Sequence, residues 1–275
     1  MRFAEGFRGR VLSFLDLETT GLRPEFGDRV CEIAIISVRD GVEEGAIETL
    51  VCPQRPIPFD VQRIHGITNE MVASAPTFGE IAPVVAEVLG GTTVVAHNAP
   101  FDMGFLYSEL RASGIPFPDV YVIDTLRIAR NHFSFPSNSL TQIARSFGLT
   151  VGNAHRAMED AKLVKEVFYC LIDALERDGS FTGGIEELLG LEKGYTYSKS
   201  SLGLRSMIEE AIRLSKKLEI LYYSSDARAS TIRVIEPLEI NSLRGEPCIL
   251  AYCHLRGKRL HFRFDRILSV RPLPS

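Results

Sequence analysis

The chain has 275 residues, 45% hydrophobic and 24% charged, with a formal net charge of −4, which is ordinary for a globular protein with core enough for one large or two modest domains. Its five cysteines (Cys31, Cys52, Cys170, Cys248 and Cys253) are odd in number and form no CxxC, which argues against a disulfide framework or a zinc site and fits a reducing compartment. The first ten residues lack an apolar signal core and no run reaches the roughly 18 apolar residues of a membrane span, so a cytoplasmic location without membrane contact is expected.

In chain order, Arg10–Asp16 reads as a strand leading into a Thr-Thr-Gly turn, Val30–Val38 as a second and Ala46–Val51 as a third, with Arg39-Asp-Gly41 as a hairpin-type turn between the last two. A Pro-rich loop, 52–58, comes next. Helices are expected at Phe78–Leu89, Phe101–Ser113, Thr125–His132 and Leu140–Phe147, and short strands at Thr92–Ala96 and Val120–Ile123. A long helix over Arg156–Glu176 carries Leu163, Val164, Val167, Phe168, Leu171 and Ile172 at helical spacing. Three strands followed by alternating helices and strands predict an α/β domain, a mixed sheet flanked by helices.

The segments 177–184 and 193–201 are rich in Gly and Ser and lack a core pattern. Beyond them a helix over Leu204–Leu218 and strands near Glu219–Tyr223, Thr231–Leu238, Pro247–Cys253 and Leu260–Phe264 predict a small β-barrel or sandwich. The expected organisation is therefore residues 1–178, a linker over 179–202, and a second domain over 203–275. Charge separates along the same line. Residues 1–199 hold 18 Lys and Arg against 27 Asp and Glu, and residues 200–275 hold 13 against 8. An acidic body with a basic appendage suggests two units with different electrostatic roles.

Four carboxylates and a histidine stand out. Asp16 and Glu18 lie two apart on the first strand, so both project from one face while Leu15 and Leu17 project from the other. The same alternation also describes any half-exposed strand. Asp102, behind His97-Asn98, starts a helix, where an acid is also favoured by the helix dipole. His155 and Asp160 are five apart, which on a regular helix would point them about 140° apart. His155 is therefore expected in the preceding loop or first turn, and Asp160 on the helix itself. A histidine there could take a proton from water, or could simply be a surface residue. Cleaving a phosphodiester requires negative charge to be stabilised on both the attacking and the leaving oxygen, which two divalent ions about 4 Å apart do well. Hard cations such as Mg²⁺ need carboxylate oxygens.

Taken together, Asp16-Leu-Glu-Thr-Thr-Gly21, Ile64-His-Gly-Ile-Thr68, His97-Asn-Ala-Pro-Phe-Asp102 and His155-Arg-Ala-Met-Glu-Asp160 resemble the DEDDh 3′–5′ exonucleases, the family of the epsilon proofreading subunit of bacterial DNA polymerase III, over roughly residues 10–175. The resemblance implies a ribonuclease H-like fold and two divalent ions, Mg or Mn. Asp16, Glu18 and Asp160 would hold the first, Asp16 and Asp102 the second, and His155 would be the general base. It further implies that Thr19, Thr20 and Leu22 contact the terminal nucleotide, with His65 and Phe101 as weaker candidates. Four clustered carboxylates repel one another without metal and so raise some of their pKa values, which links metal binding to pH and local order.

Residues about 203–272 resemble a WYL domain, an Sm-like β-barrel. The similarity rests on Ile220-Leu-Tyr-Tyr223, Arg233-Val-Ile-Glu-Pro237, Ile249-Leu-Ala-Tyr-Cys253 and Phe262-Arg-Phe-Asp-Arg-Ile267, with Cys248-Ile249-Leu250 at the naming triplet. Such domains are thought to bind nucleic acid or nucleotide-like ligands, and Arg233, Arg263 and Arg266 match that surface. Arginines beside Tyr252 and Phe262 could hold a single strand by phosphate contacts and stacking, or the aromatics could belong to the core.

The expected function is thus a metal-dependent 3′–5′ exonuclease acting on 3′ ends, single-stranded DNA favoured, and releasing nucleoside 5′-monophosphates. The alternative is a non-catalytic nucleic-acid or nucleotide sensor, although a pure binder has no reason to bear the repulsion of four carboxylates. A polymerase partner is open to such a chain but not favoured, because a folded basic domain stands where a polymerase-binding tail might be expected.

Overall fold

The computed structural model describes residues 7–24, 27–152, 155–179, 181, 208–224, 229–243 and 246–273. The chain divides into two compact units, Met1–Leu189 and Gly190–Ser275. Nearly all of the expected linker lies outside the described residues, as do the segments 182–184 and 193–201.

In the first unit β1 (Val11–Thr19), β2 (Val30–Arg39) and β3 (Val42–Leu50) form an antiparallel meander. β4 (Thr93–Ala96) joins β1 in parallel and β5 (Tyr121–Asp124) joins β4 in parallel, giving the order β3-β2-β1-β4-β5. The turn from β2 to β3 takes Asp40 and Gly41 through positive φ (50° and 81°), the two-residue geometry that matches strand twist.

Seven helices of this unit are described: α1 (Phe59–His65), α2 (Asn69–Val72), α3 (Phe78–Leu89), α4 (Ala99–Ala112), α5 (Thr125–His132), α6 (Leu140–Ser146) and α7 (Ala157–Arg177). The long helix α7 lies across β1 and β2 and buries Leu163, Val164, Val167, Phe168, Leu171 and Ile172 against Leu12, Phe14, Ala34 and Ile36. Leu15, Leu17, Ile33 and Ile35 are equally buried and point the other way. On that second face α4 packs on β1, β4 and β5, and α3 packs on α4. Both faces of the sheet are therefore covered, which explains the nearly continuous apolar run of β2.

Three local differences from the sequence reading have physical causes. Strand β1 runs on through Thr19, so Glu18 remains within the sheet. Strand β3 begins at Val42 because β2 supplies a pairing partner along its whole length. Helix α1 begins directly after Pro58, where prolines read as loop formers also suit the start of a helix.

In the second unit residues 208–213 are helical. β6 (Leu218–Ser224), β7 (Ala229–Leu243), β8 (Glu246–Cys253), β9 (Lys258–Arg263) and β10 (Ile267–Pro272) make an antiparallel sheet ordered β10-β6-β7-β8-β9. One face buries Ile208, Ala211, Leu218, Ile220, Ile235, Ile249, Phe262 and Ile267. Among the described residues the sheet does not close into the expected Sm-like barrel. The 3₁₀ turn Phe264–Arg266 carries the chain from β9 to β10, which pairs with β6 at the far side of the sheet, so β9 and β10 remain unjoined edges.

Candidate active site

The site is built around the C-terminal end of β1. Asp16 and Glu18, two apart on that strand, face the same side, and both are half-buried. The antiparallel register sets Glu32 of β2 directly opposite Glu18, so a third carboxylate shares that face. Asp102 sits in the first turn of α4, 4% exposed. Asp160 sits in the first turn of α7. His155, two residues before that helix, is exposed and has a left-handed backbone with φ 68°. Its N–H donates to Asp160 Oδ2 at 2.9 Å. Glu18, His155 and Asp160 bring one donor atom each within 4.8 Å of one another.

Negative charge dominates this cluster. Burial pushes the Asp16 carboxyl well above the usual carboxylate range, and Asp102, Asp160, Glu18 and Glu32 all add repulsion. Glu18 is pushed up to about 8 by burial, then by Asp160 and Glu32, with the Arg156 guanidinium acting the other way. Burial also raises Asp102, where Asp124 repels it and the backbone N–H groups of its own residue and Leu17 oppose the shift. Asp160 is raised by burial and held back by the His155 N–H. Hard oxygen donors that face one another with uncompensated charge are the donor set that a divalent cation takes. Glu18 and Asp160, which with His155 bring donor atoms within 4.8 Å of one another, fit such an ion, and the repulsion between Asp16 and Asp102 extends the acidic cluster.

Three more acids, singled out by no motif, brace the site. Glu32, 1% exposed, accepts from Arg156 Nη2 at 2.6 Å and from the Ala157 N–H at 2.9 Å. Glu109, 2% exposed, accepts from Arg29 Nε and Nη2, each at 2.8 Å, and from the Val30 N–H at 3.1 Å. Asp124 accepts from the Asn98 N–H at 2.9 Å and the Leu126 N–H at 3.0 Å. It thereby fixes Asn98, left-handed at φ 66°, as the entry to α4. His97 bridges Thr125 Oγ1 (2.9 Å) and the Asn138 carbonyl (3.0 Å), and its burial lowers its pKa to about 4. The neutral ring therefore donates from Nε2 to Asn138 and accepts at Nδ1 from Thr125.

The residues proposed from sequence to touch a nucleotide fall into two groups. Thr19 and Thr20 are buried, with their hydroxyls engaged by the Gly21 carbonyl and by Asp28 and the Arg29 N–H. Gly21 leaves room for the Asp28 carboxylate, which a Cβ there would overlap. Asp28 in turn holds the Arg23 N–H at 3.0 Å and Arg55 at 2.9 Å. His65 is buried, its Nδ1 accepting from the Ile67 N–H at 3.0 Å, and burial lowers its pKa. Leu22 is 77% exposed and Ile64 is 60% exposed. Phe101 is half-buried, its ring 5.0 Å from that of Phe105.

In the second unit Arg233 is 7% exposed. Its guanidinium lies over the rings of Tyr222 (5.2 Å) and Phe262 (5.8 Å), and its Nε donates to Thr231 Oγ1 at 3.0 Å. Arg263 and Arg266 are half-buried. Phe262 belongs to the core, 1% exposed, and is thus not a stacking platform; Tyr252 is half-buried.

Residues 13–168 match the family model described as Exonuclease, and residues 204–272 match the WYL domain model. The chain is 32% identical over 164 residues to the 3′–5′ exonuclease DinG of Bacillus subtilis, an alignment that covers 59% of this chain and 18% of that protein. It is 39% identical over 161 residues to the DNA polymerase III subunit epsilon of Treponema pallidum, covering 57% and 74%. A solved structure of exonuclease X in complex with 5′ overhanging duplex DNA superposes with a TM-score of 0.51 at 27% identity, covering 65% of this chain and 96% of that one. The chain spans less than a third of the length of several curated relatives, among them DinG. Among the described residues no helix is long and apolar enough to cross a membrane.

Proposed function

We infer the function of this chain from its family: it belongs to the exonuclease family matched over residues 13–168, of the DEDDh type and ribonuclease H-like in fold, whose members generally use divalent metal ions. Within that family the reading proposed for this chain is a metal-dependent 3′–5′ exonuclease that releases nucleoside 5′-monophosphates, with single-stranded DNA its favoured substrate. The observation that carries the reading is the gathering of Glu18, His155 and Asp160 within 4.8 Å, beside Asp16, which Asp102 repels most among its neighbouring charges. A site that only bound nucleic acid would gain nothing from like charges held so close to a polyanion.

Asp16, Glu18 and Asp160 would hold one divalent ion, and Asp16 with Asp102 a second. When bound, such ions offset the negative charge that builds on the attacking and leaving oxygens. His155, exposed ahead of α7, would accept the proton of the attacking water at an imidazole nitrogen. The carboxylates, fixed by β1, α4 and α7, impose the geometry with little reorganisation. Leu22 and Ile64, exposed apolar side chains, would offer surface to the terminal nucleoside, and Phe101 a partial ring face. Thr19, Thr20 and His65, whose side chains are engaged internally, would shape that subsite through the backbone. In the second unit Arg233, Arg263 and Arg266 would hold anionic nucleic acid or a nucleotide, and the buried Arg233 guanidinium, with aromatic faces and a hydroxyl as its partners, supports an anionic ligand.

Purified protein with Mg²⁺ or Mn²⁺ is expected to shorten single-stranded DNA, and Asp16→Ala to stop it. Intact DNA and RNA in both samples would end the reading. Matched single-stranded DNA, single-stranded RNA and recessed duplex ends, degraded side by side, test the substrate preference.

A further inference from the structure

Three successive residues at the entry to α7 are each tied to a carboxylate. The His155 N–H goes to Asp160 Oδ2 at 2.9 Å. The Arg156 side chain grips Glu32 through Nε (3.1 and 3.2 Å) and Nη2 (2.6 Å). The Ala157 N–H reaches Glu32 Oε2 at 2.9 Å. Arg156 occupies the N-cap position yet makes no side-chain cap of its own. Glu32, reaching over from the middle of the sheet, takes that task.

The location of this pair is unusual. Glu32 is buried directly opposite Glu18, where its charge opposes those of Asp16, Glu18 and Asp160. A carboxylate there is unfavourable to the cluster unless it performs another task. Arg156 is adjacent in sequence to His155, whose left-handed φ of 68° is uncommon for a residue other than glycine and needs support from its surroundings. Pinning the Arg156 side chain to the sheet leaves the neighbouring His155 side chain exposed but within reach of Glu18 and Asp160.

We propose that Glu32 and Arg156 are a positioning pair for His155: the ion pair sets the loop conformation that holds the imidazole over Glu18 and Asp160. The inference rests on the reading of His155 as proton acceptor. Neither Glu32 nor Arg156 touches substrate in this scheme, and Arg156→Ala leaves the Ala157–Glu32 bond, and with it Asp160, in place.

The test uses the full chain in a double-mutant cycle with single-stranded DNA. Arg156→Ala is expected to lower kcat at least about 10-fold, because small misplacements of a catalytic group carry losses of that order, with KM changed by less than about 3-fold. Manganese binding followed calorimetrically should stay within about 3-fold of wild type, since the three metal-holding carboxylates of β1 and α7 are untouched. In a His155→Ala background, Arg156→Ala should bring less than about 2-fold further loss, because the group it positions is gone. Glu32→Gln, which keeps shape and hydrogen-bond acceptor but not charge, should show the same epistasis, and it serves as the second variant should Arg156→Ala prove unstable. Losses that multiply in the double mutant, or an unchanged kcat in both single variants, would overturn the inference. Unchanged turnover in His155→Ala alone would instead overturn the assignment of His155 and leave the site without a base.

Discussion

Glu18 carries a proton affinity far from that of an ordinary glutamate, pushed up to about 8 by burial, Asp160 and Glu32. A folded-state pKa raised above the unfolded value contributes stability that is complete at pH below the unfolded pKa and is lost as pH rises through the folded one. Metal-free protein is therefore expected to lose thermal stability between about pH 5 and pH 8, with Asp16 and Asp102, both raised, acting in the same sense. Added Mg²⁺ or Mn²⁺ should reverse the loss. A melting temperature indifferent to pH and metal over that range would mean that the carboxylates do not repel as described. Asp16→Asn, which removes one of the charges, should raise the metal-free melting temperature by roughly 3–6 °C while abolishing hydrolysis. A second residue-scale expectation concerns Gly21, where a methyl group would displace Asp28. Gly21→Ala should cost about 1–2 kcal/mol, and Asp28→Ala in the same chain should return part of it, as read by thermal melts of both variants. Sequence could point to Asp16 and Glu18, because a spacing of two is visible in one strand. It could not point to Asp28 as the reason for Gly21, which depends on how the segment after β1 folds back.

At the scale of elements, the parts of the site are delivered by strand and helix ends, and buried acids lock those ends together. Glu109 of α4 holds the start of β2 through Arg29 and the Val30 N–H. Glu109→Ala would leave a buried N–H unmet and Arg29 unpaired. It should destabilise the first unit by about 2–4 kcal/mol, seen as a lower urea midpoint with unchanged slope. An unchanged midpoint would mean that the clamp is surplus. The helices of this unit were largely legible from apolar periodicity, α7 most clearly, because its stripe is long and unbroken. Glu32 and Glu109 were not, since one polar residue inside an apolar strand or helix reads as noise until its partner, separated by 124 residues for Arg156 and by 80 for Arg29, is brought alongside. Helix α1 was hidden by its leading prolines. Four of the five strands of the second unit were legible, but β10 (Ile267–Pro272) was not, and its pairing with β6, which leaves the sheet open, was equally beyond the sequence because strand spacing does not say which strands pair.

For the molecule as a whole, the two units differ in charge: 26 acidic against 16 basic residues in Met1–Leu189, and 9 against 15 in Gly190–Ser275. The excess of acid in the first unit suits a metal-holding site better than a broad grip on phosphates. In the proposed function the basic second unit would supply that grip. Replacing Arg263 and Arg266 by Gln should weaken binding of single-stranded DNA and lower the dependence of log affinity on log salt by about 1–2, while an aryl ester of a nucleoside 5′-monophosphate remains a substrate at an unchanged rate. A salt slope equal to wild type would remove those arginines from the nucleic-acid path. The proposed direction of attack is read by degrading the same single-stranded DNA labelled at one end or the other with Mg²⁺ or Mn²⁺ present. The 3′ label should appear at once as a mononucleotide, while the 5′-labelled strand shortens through a ladder. Immediate release of the 5′ label as a mononucleotide, or the same pattern from Asp16→Ala, would rule out 3′–5′ hydrolysis at this site.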